Sequence, residues 1–337
     1  MAYDNLIPVN VMTGFLGSGK TTVLQHLLLS PELNDTAVLV NEFGEVGLDH
    51  HLLESATEST LLLENGCICC AIRGDLKDSM RDLFDRRERG DIPAFRRVII
   101  ETSGLADPVP IAYTILTEPV LQHHFRLGNV LTTIDAVNGL AQLADFDEPV
   151  KQVAIADRLI ITKTDIADQA EVSKLRMALQ RLNMSAPILD SNVDDLSPDQ
   201  MITQDIHDPN CKGDEIGYIL STANIRNDAP DHSHTSGVNS FALIYDVPLD
   251  WTAFGIWMTM LLNQHGDKVL RIKGMLNVAD IQAPVLINGV QHVVHPPVHL
   301  ERWPDDDRRS KLVFIVRGLE QADIESSLAA FNNLANP

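Results

Sequence analysis

The chain has 337 residues and carries 26 lysines and arginines against 47 aspartates and glutamates, a formal charge of −21. Phosphate backbones and anionic membrane surfaces are held mainly by clustered basic side chains, so this balance speaks against a nucleic-acid or membrane partner. At roughly 150 residues per domain the length predicts two domains, and 45% hydrophobic with 22% charged residues gives a globular chain enough apolar mass for a core.

In chain order, the first half alternates short apolar runs with helical patterns, which predicts an α/β fold with a mostly parallel sheet. A strand over 7–12 enters a glycine-rich turn and a helix over 20–29. Strands over 36–40 and 60–63, a helix over 75–89, a strand over 97–100 and a helix over 109–116 follow. Next come a strand over 130–134, a helix over 148–156, a strand over 158–161 and a helix over 170–182. Val98-Ile99-Ile100 and Leu159-Ile160-Ile161 are unbroken apolar runs, as expected of strands covered on both faces. From about 190 to 239 the chain turns polar, with loop signals at Asp208-Pro209-Asn210, Asp228-Ala229-Pro230-Asp231 and Ser236-Gly237. Beyond it, a strand over 240–247, a helix over 251–264, strands over 269–278, 285–294 and 311–317, and a helix over 321–334 predict a smaller α+β domain. The expected division is therefore a first domain over 1–220, a linker over 221–236 and a second domain over 237–334. The most apolar helical stretch, over 252–262, is too short to cross a bilayer, and residues 1–8 lack a basic-then-apolar run, so the expected compartment is the cytoplasm.

Residues 14–21 fit the pattern G-x-x-x-x-G-K-[ST] between a predicted strand and a predicted helix. Backbone N–H groups around Gly14, Gly17, Ser18 and Gly19 would enclose phosphates at the positive end of the helix. Lys20 would reach the β- and γ-phosphates, the Thr21 hydroxyl would ligate Mg²⁺, and Thr22 is a further candidate for binding the nucleotide. Val98-Ile99-Ile100-Glu101 ends a buried strand in a carboxylate, the expected place of a second acid on the Mg²⁺ side, with Gly104 placed to offer its N–H to a γ-phosphate. Aspartate is the usual residue there, so Glu101 is a departure.

Thr162-Lys163-Thr164-Asp165 follows a predicted strand and resembles the base-recognition tetrad of GTPases. An ionised Asp165 accepts from both the N1–H and the exocyclic amine of guanine, a donor pair that adenine lacks, and the Lys163 stem can cover the base. This disfavours an ATP-dependent kinase.

Three of the four cysteines crowd into Cys67-Ile68-Cys69-Cys70. Three thiolates suit Zn²⁺ or Cu(I) with a fourth position open to a ligand from another protein, whereas buried apolar cysteines or a redox pair are the plainer alternatives. Asn41-Glu42-Phe43-Gly44-Glu45 follows the second predicted strand, where Glu42 or Glu45 could face Mg²⁺, the attacking water or a thiolate-bound metal, or simply water as part of a solvated loop. His232 and His234 read as a solvated loop more than as a metal-loading arm. Cys211 and the pair His123-His124 receive no role, and His292 and His295 would fall on opposite faces of one strand.

Taken together and in this order, residues 14–22 (GFLGSGKTT), 40–47 (VNEFGEVG), 66–70 (GCICC), 101–108 (ETSGLADP) and 162–165 (TKTD) resemble the CobW-type metallochaperone GTPases. The resemblance continues beyond the linker at residues 270–274 (LRIKG) and 311–318. It implies a P-loop GTPase domain followed by a CobW C-terminal-type domain, binding GTP or GDP with Mg²⁺. It also implies that Cys67, Cys69 and Cys70 bind a transition metal, zinc above all, for delivery to a client apo-metalloprotein. Lys20, Glu42 and Glu101 are then the candidates for the catalytic charge and water positioning. A GTP-regulated metal sensor or buffer, without delivery, is the alternative, and a homo-oligomer is compatible with either. The long histidine-rich tract of some bacterial members is reduced here to His232 and His234.

Overall fold

The structure is a computed structural model that describes residues 6–41, 60–62, 68–71, 75–192, 196–198, 201–202 and 237–335, the strands over 60–62 and 68–71 by their backbone. Spatial proximity divides the chain into two units. The first comprises Met1–Gln142, Ala156–Val172 and Ile188–Asp205, and the second comprises Leu143–Ile155, Ser173–Pro187 and Ile206–Pro337.

Apolar, largely β-branched runs build the sheet at the centre of the first unit. Its strands are β1 (Ile7–Gly14), β2 (Thr36–Asn41), β3 (Thr60–Leu62), β4 (Ile68–Ala71), β5 (Arg97–Thr102), β6 (Phe125–Asp135), β7 (Arg158–Thr162) and β8 (Ile188–Asp190). They lie in the order β3-β4-β2-β5-β1-β6-β7-β8, parallel throughout except for the antiparallel pair β3–β4. Val98, Ile99, Ile100, Leu159, Ile160 and Ile161 are wholly buried, as their unbroken apolar runs require. Helix α1 (Lys20–Leu28) buries Val23, Leu24, Leu27 and Leu28, one stripe at helical spacing, against Met12, Val38, Ile99, Leu131 and Ile160. The other helices with residues in this unit are α2 (Leu76–Arg89), α3 (Val109–Thr117) and the first residues of α4 (Gly139–Asp145) and α6 (Gln169–Leu182).

Two features of this sheet were not legible beforehand. Strand β4 carries Cys69 and Cys70, in register with Val38 and Leu39 of β2. Strand β6 begins at Phe125, five residues before its expected start, because a bulge at Gly128-Asn129 lets a loop-like pair continue the ladder. There the Asn129 N–H donates to Asn10 Oδ1 at 2.9 Å.

The second unit holds an antiparallel sheet of β9 (Val238–Tyr245), β10 (Val269–Leu276), β11 (Val285–Val290), β12 (Val293–Val294), β13 (Val298–His299) and β14 (Ser310–Arg317). The main order is β12-β11-β10-β14-β9, with β13 also paired to β11. One face packs on α7 (Trp251–His265) and α8 (Gln321–Ala335) through Trp257, Leu261, Phe314, Ile324 and Leu328. The opposite face, at Leu270, Ile315 and Val238, meets Ala154 of α5 (Asp147–Ile155) and Leu182 of α6. Two helical stretches that precede residue 220 therefore pack with the second sheet.

The single strand expected over 285–294 is a correction. The chain reverses at Gln291-His292, with Gln291 at φ 48°, and β12 folds back so that Gly289 pairs Val294 and Val290 pairs Val293. His292 thus sits in the turn, while His295 lies beyond it, buried, with its N–H donated to Asn288 O at 2.8 Å. The two histidines are not on opposite faces of one strand. Among the described residues no helix is long and apolar enough to cross a membrane.

Candidate functional site

In parallel α/β sheets ligands bind at the carboxyl ends of the strands, where the connections of two adjacent strands leave in opposite directions. Here those strands are β1, whose connection leads to β2, and β5, whose connection leads to β6 on the far side of β1. Its last residue, Gly14, has φ 144°, and a Cβ there would stand 2.4 Å from Thr133 Oγ1 and 2.6 Å from Ser18 Oγ, so no side chain fits. Gly17 and Gly19 take φ of 71° and 88°, the left-handed region that glycine enters without strain. Gly19 caps α1 with no side-chain hydrogen bond, which leaves the first N–H groups of the helix open to an anion. Ser18 Oγ, buried, shares a 2.7 Å hydrogen bond with Thr133 Oγ1. The loop is thus anchored to β6 through the Ser18 side chain, and its own Ser18 N–H donates to Phe15 O at 3.1 Å.

Lys20 folds across this loop and donates to Gly14 O at 2.9 Å and Phe15 O at 3.2 Å. Burial pushes its ammonium below the ordinary lysine value, opposed by the nearby Glu101 charge. Thr21 Oγ1 donates to Glu101 Oε1 at 2.6 Å, bringing one hydroxyl and one carboxylate together at the carboxyl ends of β1 and β5. Two adjacent oxygen ligands of this kind match what Mg²⁺ takes from protein, the rest coming from water and phosphate. Thr22 is exposed in the first turn of α1. A Cβ on buried Gly104 would stand 2.7 Å from Leu16 N and 2.8 Å from Leu16 Cα, so the segment after β5 lies directly on the phosphate loop.

The tetrad at the end of β7 joins the same surface. Thr162 Oγ1 donates to Ser18 O at 2.8 Å. Lys163, at φ 60°, donates its Nζ to Gly17 O at 2.7 Å and to Asp135 Oδ2 at 2.8 Å. Thr164 is buried and donates to Asp190 Oδ1 at 2.7 Å, whereas Asp165 is exposed and accepts from Asn192 Nδ2 at 3.0 Å. Asp135, Asp190 and Asn192 were not singled out from the sequence. Asp135 carried one usable signal, a carboxylate closing an apolar strand as Glu101 does.

Glu42, Glu45, Cys67, Cys211, His232 and His234 lie outside the described residues. Cys69 and Cys70 are placed by the β4 backbone, and among the described residues no cluster of His, Cys, Asp and Glu forms a metal site. His124 stacks on Phe84 with ring centroids 3.9 Å apart, a packing contact.

Residues 8–190 match the family model described as CobW/HypB/UreG, nucleotide-binding domain. The chain belongs to the CobW/HypB/UreG family of P-loop GTPases. Its residues 238–332 match the cobalamin synthesis protein cobW C-terminal domain, so both CobW-family parts are present. Zinc chaperone YjiA of Escherichia coli is 34% identical over 328 residues, 96% of this chain and 98% of that one. Zinc chaperone CobW of a Sinorhizobium species is 25% identical over 98% of each chain. The crystal structure of zinc(II)-bound YjiA GTPase superposes with a TM-score of 0.72 at 32% identity, covering 97% of this chain and 99% of that one. A zinc(II)-bound YjiA variant with one glutamate and two adjacent cysteines replaced by alanine gives a TM-score of 0.73 at 31% identity, with the same coverage.

Proposed function

We propose that this CobW-family GTPase is a zinc chaperone that hydrolyses GTP and passes zinc to a client apo-metalloprotein. The observation that carries the nucleotide half is the joining of the tetrad to the phosphate loop through Thr162 Oγ1 to Ser18 O and Lys163 Nζ to Gly17 O. Base-selecting and phosphate-holding residues thereby form one continuous surface. The N–H groups of residues 14–19 and the α1 N-terminus hold the phosphates, Lys20 pairs with the β- and γ-oxygens, and Gly104 offers its N–H to the γ-phosphate. Thr21 and Glu101 would hold Mg²⁺, which when bound would supply positive charge to the phosphates. Asp165 accepts from guanine, and Glu42 with Glu101 positions the attacking water.

The zinc half rests on the family and on the names of its relatives, two of which are called zinc chaperones. Cys67, Cys69 and Cys70 would carry the zinc as cargo, since three thiolates leave a position for a client ligand. The variant of YjiA that lost one glutamate and two adjacent cysteines still carries zinc(II) in its crystal, so the assignment is to be tested by affinity in solution.

The experiment is Asp165→Asn. The new amide donates where the carboxylate accepted, so GTP binding should fall and xanthosine triphosphate should become the better ligand. Wild-type protein that binds ATP as tightly as GTP would overturn the guanine site. Activation of an apo-metalloenzyme by the zinc-loaded protein and GTP separates delivery from buffering, because a buffer withholds the metal.

A further inference from the structure

We propose that Asp135 is the positioning residue of the base-recognition tetrad: it fixes the Lys163 ammonium where that group spans the base site and the phosphate loop. The proposal deepens the guanine-site reading above and rests on it.

Asp135 ends β6 and its side chain is 2% exposed, against 38% for Lys163. Both carboxylate oxygens are occupied. Oδ1 accepts the Val137 N–H at 2.8 Å and the Asn138 N–H at 3.3 Å, which locks the chain reversal after the strand. Oδ2 accepts from Asn138 Nδ2 at 3.0 Å and from Lys163 Nζ at 2.8 Å. A carboxylate with donors on both oxygens has one orientation, so the ammonium it holds has one place. Burial raises the Asp135 carboxyl, yet the donors from Lys163, Asn138 and Val137 outweigh it and keep the group ionised.

The geometry at Lys163 completes the argument. Its backbone sits at φ 60°, a left-handed conformation that a non-glycine residue keeps only where its surroundings over-determine it. Its Nζ meets Asp135 Oδ2 and Gly17 O at 2.8 and 2.7 Å, so the ammonium bridges β6 to the phosphate loop. With its charge matched by a buried carboxylate, the lysine can lay its apolar stem along a base without drawing the ammonium away into water. The Lys163 arm is thus arranged by residues of the protein itself, ahead of the nucleotide. Asp165 has its own support in Asn192, and the tetrad side chain that the Asp135 carboxylate meets is Lys163.

The test measures GDP affinity in Asp135→Asn, in Lys163→Met and in the double variant. Asp135→Asn should weaken GDP by about tenfold, the scale of one charge-assisted hydrogen bond. In the Lys163→Met background the same change should alter affinity by less than about twofold, because residues acting through one contact are not additive. Equal losses in both backgrounds, or no loss in either, would overturn the proposal. Should Asp135→Asn fail to fold, the double variant decides. Recovery of folding with the affinity of Lys163→Met supports positioning, and a double variant that also fails to fold makes Asp135 a structural residue. Failure of the underlying reading looks different, since Asp165→Asn and Lys163→Met would then both leave GDP affinity unchanged.

Discussion

Gly104 and Gly17 border the same phosphate loop and are glycine for different reasons. At Gly17 a Cβ meets nothing within 4 Å, and the constraint is the φ of 71°. At Gly104 the constraint is space, because a Cβ would press on the backbone of Leu16 at 2.7 Å and a loop fixed by Ser18 and Thr162 has little room to retreat. Alanine at Gly104 is therefore expected to displace the loop at a cost of about 1–3 kcal/mol, the range for overpacking. Nucleotide affinity should fall by about tenfold or more, and the unfolding temperature of the nucleotide-free protein should fall by several degrees, the shift such a cost produces in a domain of this size. Alanine at Gly17 pays a conformational cost of about 1 kcal/mol and should weaken nucleotide binding less. Titration of GDP against both variants checks the order, and a Gly104→Ala protein binding GDP as wild type does would show that the loop can move aside.

At the scale of elements, β14 carries a lysine where an apolar residue would be the ordinary choice. Lys311 is wholly buried and its Nζ lies 2.8 Å from Asp307 Oδ2, on the turn that leads into the strand. Hydrogen bonds from Arg309 and then from Lys311 hold the Asp307 carboxyl well below the ordinary value. A carboxyl depressed in the folded state stabilises the fold above its unfolded pKa of about 3.9, and that contribution is lost as pH falls through the folded value. Asp307→Asn should thus destabilise the protein near neutral pH by about 2 kcal/mol, because it leaves Lys311 with a neutral partner. The gap in unfolding midpoint between the two proteins should close as pH drops below about 4. A gap that stays constant down to pH 2 would mean that the ionised pair contributes nothing. The turn before β14 was not legible in the sequence, and neither was the hairpin that divides 285–294. Gln291 occupies a left-handed position that turn-forming glycine or asparagine usually takes, so the run looked continuous. By contrast, the strands and helices of the first unit announced themselves through apolar runs and helical stripes that burial then required. The glycine-rich turn over 14–21 and the tetrad over 162–165 stood out as motifs because the chemistry expected of them needs fixed local spacing. Asp135 joins Lys163 across 28 positions and Asn192 joins Asp165 across 27, distances at which no local pattern survives.

For the whole molecule the question is whether zinc and nucleotide sense each other. The parallel register aligns Cys70 of β4 with Leu39 of β2, Leu39 with Ile100 of β5, and Ile100 with Val11 of β1. Three strand intervals separate the cysteine strand from the strand that feeds the phosphate loop, about 14 Å at the usual spacing. One residue further along, Ala71, Val40, Glu101 and Met12 form the next row, so the carboxylate that meets Thr21 belongs to the same stretch of sheet as the cysteines. Strand β2 lies between them and leads directly into the segment that contains Glu42. A γ-phosphate that reorders the segment after β2 or the carboxyl end of β5 is therefore expected to change the zinc affinity, by about 5- to 150-fold if the coupling is of the common 1–3 kcal/mol size. Reciprocity demands that zinc change the affinity for GTP by the same factor. Competition titrations of zinc in the nucleotide-free, GDP and GTP-analogue states, under reducing conditions, measure both sides of that equality. Replacement of Cys67, Cys69 and Cys70 by serine should remove tight zinc binding and the coupling together, because hydroxyls are poor ligands for a soft metal. GTP affinity without zinc should stay within about twofold of wild type, since serine is nearly isosteric with cysteine and, with no metal bound, there is no coupling to lose. Equal zinc affinity in all three states would mean that the two sites share a sheet and nothing more.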